Sequence, residues 1–247
     1  MTLPMRNTTR RNKIRAAQSE GRAKIMRAVL PLLKRRYAAL KRELRRANLR
    51  KRLAKMDGLY KDDVDDNAWD DWIDAFTNAL RDALEFGIGN IWAVETEFFA
   101  TRGKTAQGQL DWREVVDNYE TRTGIKIKNI GTDTLTSTQK MIAEWYKTDA
   151  GLPELIEKLT PLFGEARAEL IAYTEMSFVA SEVFLQTMKA YGIGLWNWDA
   201  EPDACAEICQ PIAAENPYKV GDEMPPEKSH PKCMCGCVYL DENGDEI

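Results

Sequence analysis

Five cysteines and one histidine, the only ones in 247 residues, fall within the last 43 positions. They read Cys205-x3-Cys209, a gap of twenty residues, then His230-x2-Cys233-x-Cys235-x-Cys237. Soft thiolates and an imidazole gathered by a short loop make the donor set of a tetrahedral zinc site. Cys205 and Cys209 form one chelating pair, and His230 with Cys233 forms a second. Cys233, Cys235 and Cys237 alternate, so a straight strand would carry them on one face. Four of the six suffice: Cys205, Cys209 and Cys233 come first, with His230 and Cys235 competing for the fourth place and Cys237 outlying. Unligated buried thiols, disulfides and a Cys–His catalytic pair are the competing readings. A closed four-ligand site leaves no position for a substrate, and there is no second histidine to act as base. The expected metal is therefore structural Zn2+, and no residue is assigned a catalytic role.

A second concentration of chemistry is electrostatic. The net charge of −4 conceals 19 Lys and Arg in residues 1–55 against only Glu20 and Glu43, a balance of +17. The remainder carries 16 basic and 37 acidic residues, a balance of −21. Arg35, Arg36, Arg42, Arg45 and Arg46 are the candidate contacts for a nucleic acid or a protein partner. Phosphate needs such charge without any reading of sequence. An acidic protein would also take it, as would the acidic body of the same chain.

The elements that must position these groups are mainly helical. Residues 1–20 are polar and basic without apolar period and read as a flexible lead. From about Arg22 to Met56, Leu33, Tyr37, Leu40 and Leu44 fall on one helical stripe, with Pro31 predicting a kink or a true start. Asp57-Gly58 reads as a stop. Trp69, Trp72, Ile73, Phe76, Leu80 and Leu84 recur at helical spacing and read as a core face rather than a partner surface. Gly87 and Gly89 predict a break before a further helix, Asn90 to about Ala100. Further helices are expected over Trp112–Tyr119, Asp133–Lys147, Leu152–Leu162 and Glu165–Tyr191, the last ended by Gly192. Residues 124–130 read as a strand or an extended connection. Beyond Gly192, tryptophans, prolines and cysteines suggest short strands. The expected fold class is mainly α with a small C-terminal β-hairpin or zinc-knuckle-like element (α+β). The expected organisation is a basic arm and helix (1–57), an acidic helical region (62–130) and a C-terminal domain (131–247). The first fifteen residues lack the apolar stretch of a secretory signal, and no segment has the apolar length of a membrane span, so assembly in a reducing cytoplasm is expected.

The order of features also carries a resemblance. Glu169-Leu-Ile-Ala-Tyr-Thr-Glu175 ends in Thr-Glu within a long helix. Trp198-Asp199, the cysteine pair, a proline-rich loop and His230-Pro-Lys-Cys-Met-Cys235 follow. This resembles the C-terminal domain of the Mu F-like minor head proteins, or head morphogenesis proteins, of tailed bacteriophages, over about residues 133–240. Three positions depart from the family pattern. Tyr173 stands for the usual arginine, Cys209 lies one residue farther from Cys205, and Met234 takes a place often held by arginine. The resemblance implies a minor capsid protein inside the virion head, made in the bacterial host cytoplasm. It implies association with the portal protein and with scaffold or major capsid protein, packaged DNA nearby, and a part in assembly and DNA packaging or delivery. It implies no membrane and no small-molecule substrate. The competing class is a zinc-containing nucleic-acid-binding protein without a virion role. A cysteine hydrolase built on Cys233 and His230 ranks behind both.

Overall fold

The structure, a computed structural model, describes residues 7–57, 66–108, 110–123, 127–148, 150–201, 204–222 and 235–247. In order the elements are α1 (Asn7–Asp57), α2 (Asp66–Ala100), α3 (Trp112–Thr123), α4 (Ile127–Lys147), α5 (Leu152–Phe163), α6 (Glu165–Tyr191), β1 (Leu195–Asp199), α7 (Cys209–Ala214), β2 (Tyr218–Lys219) and β3 (Gly236–Leu240). The fold is thus mainly α with a small C-terminal sheet, as the sequence predicts. The sheet has three strands in the order β2-β1-β3, all antiparallel.

Three local expectations are corrected. The supposedly flexible lead is helical from Asn7 onward, and α1 continues through Pro31, which is therefore not the start of the helix. Pro31 lies on the exposed side, and the buried stripe on either side of it holds the helix together despite the lost hydrogen bond. The break at Gly87 is absent, since α2 continues to Ala100. The extended segment is helical from Ile127, where α4 begins; residues 124–126 lie outside the described residues.

The chain forms two compact units, Met1–Lys24, Ala83–Ile125 and Leu170–Ile247 in the first, Ile25–Asp82 and Lys126–Glu169 in the second. Both cut across the consecutive segments read from the sequence, because α1, α2 and α6 each contribute residues to both.

In the second unit, Leu33, Leu40 and Leu44 of α1 are buried with Trp69, Trp72, Ile73 and Phe76 of α2. The tryptophans are core, as their spacing predicts. Trp69 meets Trp72 edge-on at 5.5 Å and Phe163 of α5 at 6.4 Å. Tyr37 stacks on Phe163 at 5.2 Å, and its hydroxyl donates to the Ile156 carbonyl at 2.7 Å. On α4, Ile130, Thr134, Thr138, Ile142 and Trp145 share a buried stripe. The two threonines fit there because each hydroxyl donates to the carbonyl four residues back, at 2.9 and 2.7 Å.

In the first unit, α6 is buried on several sides, at Ile171, Ala172, Met176, Val179, Val183, Phe184 and Met188. Gly21 of α1 and Gly87 of α2 flank Met176: a Cβ at either position would stand 2.7 Å from its sulfur. Glycine is needed there for close helix approach, which is why Gly87 does not act as a breaker. Gly192 ends α6 at φ +65°, with Ile193 N–H donating to the Met188 carbonyl at 2.9 Å, the left-handed cap that glycine permits. The chain then enters β1, where Trp196 and Trp198 alternate inward. Trp196 faces Tyr218 across β2 and Tyr239 across β3. Phe184 stacks on Tyr239 at 4.4 Å, and Trp196 stacks on Tyr218 at 4.7 Å. Beyond the short β2, Asn216 continues the ladder with its side chain. Its Oδ1 accepts from Trp198 N–H at 2.7 Å, and its Nδ2 donates to the Trp198 carbonyl at 2.9 Å.

Candidate functional site

The cysteine-bearing segments are arranged around that sheet. Cys205 precedes α7, and its carbonyl accepts from the N–H groups of Cys209 and Gln210 at 3.0 and 3.1 Å, closing the first turn. The four-residue step therefore works as a helical turn, which sends both residues toward one side. Cys209 is fully buried and Cys205 half-buried, both against the aromatic cluster of Trp196, Trp198 and Tyr218. Cys235 and Cys237 join the same cluster from β3. None of these four cysteines is in a disulfide.

Cys235 receives a hydrogen bond from the Glu201 backbone N–H, 3.4 Å from its sulfur. Such N–H···S contacts support a sulfur that carries negative charge, in a thiolate or a metal-bound state. Burial pushes the Cys237 thiol up, against an opposing pull from Arg10. His230 and Cys233 lie outside the described residues. Among the described residues no group of three or more His, Cys, Asp or Glu side chains converges, so these residues present only part of the predicted ligand set.

What sequence reasoning missed is the electrostatic frame of the cysteine region. Arg10 lies in the first unit with 4% exposure, where its guanidinium meets Glu95 at 2.7 and 2.5 Å and donates to the Cys237 carbonyl at 3.0 Å. It also stands 4.2 Å from the Tyr239 ring centroid and 5.2 Å from that of Phe98. Burial alone would weaken the Arg10 charge, but Glu95 and Tyr239 together outweigh it and raise the pKa. Arg11 pairs with Asp199, Arg15 with Glu201 and Lys13 with Glu97. A cavity of about 70 Å³ lies among Arg10, Arg11, Glu95, Ser181, Cys235 and Cys237. The charges around it are already matched, cation to carboxylate. No local pattern reveals such pairs, because each partner lies more than eighty residues away.

Among the described residues, several of the positions that carry the resemblance are engaged in the first unit. Glu175 is 3% exposed, so it is not part of a solvated face. Trp198 is buried and Asp199 holds Arg11. Tyr173, in place of the usual arginine, carries the Arg22 guanidinium 4.3 Å over its ring, so a cation reaches this point of α6 from another helix.

The basic candidates divide. Arg35, Arg42, Arg45 and Arg46 are exposed. Arg36 faces inward: it is 4% exposed, pairs with Glu43 at 2.9 Å and lies 4.0 Å over the Trp69 ring. Its charge is spent inside the second unit, where α1 places it among Leu33, Leu40 and Ala47 on the buried side.

No helix among the described residues is long and apolar enough to cross a membrane. No family model, curated protein or solved structure matches the chain.

Proposed function

We propose that the chain is a minor head protein of a tailed bacteriophage. In this reading it sits at the portal inside the head and assists head assembly and the packaging or delivery of DNA. One observation carries the reading: Thr174-Glu175, Trp198-Asp199, the Cys205/Cys209 pair and the His230-Pro-Lys-Cys-Met-Cys235 ending follow one another in the family's order. Support comes from the condition of those residues, since Glu175 and Trp198 are buried, Asp199 is ion-paired, and Cys205 and Cys235 pack on one cluster. A structural zinc held by Cys205, Cys209 and Cys233, with His230 or Cys235 completing the set, would supply folding energy to a sheet of only three short strands. The role is assembly, not turnover.

The exposed arginines of α1 favour one second reading, a zinc-containing nucleic-acid-binding protein with no place in a virion. Coexpression with a tagged portal protein from the same genome separates the two. Recovery of the chain on a tagged portal supports the head reading, and complete absence from the portal fraction removes it.

A further inference from the structure

The exposed side of α1 in the second unit has an unusual composition. At about 100° per residue, the buried residues Ile25, Val29, Leu33, Leu40, Leu44 and Ala47 define one side of the helix. On the other side, Arg27, Lys34, Lys41 and Arg45 form one row, and Arg35, Arg42 and Arg46 form a second. Only Pro31 and Ala38 lie between the rows. The one acidic residue of this stretch, Glu43, is turned toward Arg36. Among the described residues, none of the seven cations is in an ion pair; Lys41 instead lies 4.5 Å over the Tyr37 ring.

We infer that this face binds the sugar–phosphate backbone of duplex nucleic acid without reading its sequence. Two facts favour phosphate over an acidic protein. The apolar stripe that a protein partner would cover is already buried in the chain's own core. The outer face offers no aromatic or aliphatic anchor, whereas protein interfaces bury an apolar centre inside a polar rim. Phosphate requires only closely spaced donors, and five of the seven are arginines, whose planar fork suits phosphate oxygens. From Arg27 to Arg46 the helix rises about 28 Å, the length of about eight base-pair steps at 3.4 Å. The surface extends the head-protein reading but does not depend on it. A chain that fails to enter heads can still bind DNA in this way, and the reverse also holds.

The test is fluorescence anisotropy of the full chain with a labelled 24-base-pair duplex of mixed sequence, between 50 and 200 mM salt. Four to seven phosphate contacts predict a loss of affinity on the order of 10²- to 10⁴-fold over that range. Replacing Arg35, Arg42, Arg45 and Arg46 together by Gln should lower the log–log salt slope by about 3 to 4, at roughly 0.9 per contact. Gln is a good helix former at exposed sites, and circular dichroism of the variant checks that α1 persists. Replacing the same four by Lys keeps the charge and should leave the slope within about one contact of the parent. The proposal is overturned by absence of binding at 50 mM salt, by an unchanged slope in the Gln variant, or by poly-glutamate binding as tightly as DNA at equal charge.

Discussion

Arg10 on α1 and Glu95 on α2 form a two-point ion pair in the interior of the first unit, with side-chain exposures of 5% and 2%. The pair is also the support for β3, because the same guanidinium donates to the Cys237 carbonyl. Removing one member of a buried pair strands the other, at a cost of about 3–5 kcal/mol. Glu95→Gln is therefore expected to lower urea stability by about that amount, and Arg10→Met by more, since it also orphans the Cys237 carbonyl. The double change Arg10→Met with Glu95→Leu should recover much of the loss of the Glu95 variant. Additive losses in the double variant would contradict the pairing.

Arg36 and Arg35 are neighbours in sequence with opposite environments. Arg36→Ala removes a buried contact with Trp69 and with Glu43 and should cost about 1–3 kcal/mol. Arg35→Ala, on the exposed face, should stay within about 0.5 kcal/mol of the parent. Equal effects in chemical denaturation would show that the inward placement is wrong.

Alkaline pH should loosen the C-terminal sheet. The Tyr218 hydroxyl donates to the Ile212 carbonyl at 2.7 Å with the Glu215 carboxylate 3.1 Å away, and burial together with that carboxylate pushes its pKa up to about 12. An unfolded tyrosine ionises near pH 10. Between those values the unfolded chain binds fewer protons, so this contribution is complete below about pH 10 and is lost as pH rises toward 12. Tyr239 is raised in the same direction, first by burial and then by Glu95. Tyr218→Phe should flatten the fall of stability above pH 10, at a cost of about 1 kcal/mol at neutral pH for the lost hydrogen bond. An unaltered alkaline slope would exclude Tyr218 from the effect.

Zinc removal gives a separate check on the cysteine cluster. Purified chain should contain one zinc, and chelation should abolish the near-ultraviolet circular dichroism of Trp196 and Trp198 while most helical signal survives. Metal-free protein with a full tryptophan signal would remove zinc from the account.

Much of the helical layout was legible because it rests on local periodicity. The bounds of α6 follow from its apolar pattern, Gly164 before it and the Gly192 cap. The burial of Trp69, Trp72 and Phe76 follows from their spacing. Gly87 misled because a glycine's local cost and its packing role look identical in sequence; only Met176 between Gly87 and Gly21 tells them apart. The helical lead misled for a related reason. Asn7 to Glu20 has no apolar stripe, and its attachments are mostly polar, among them Arg10 to Glu95, Arg11 to Asp199, Lys13 to Glu97 and Arg15 to Glu201. Charge pairing over such separations leaves no period. The cysteine cluster was legible as composition, while the orientation of each thiol depends on β1, β3 and α7 together.

The central claim is that this chain is a component of a phage head, and protein mass spectrometry of density-purified virions tests it most directly. The account predicts the chain in mature particles together with the portal protein, and its absence from tails purified alone. Virions that contain portal and major capsid protein but none of this chain, from cells in which it is expressed, would contradict the account.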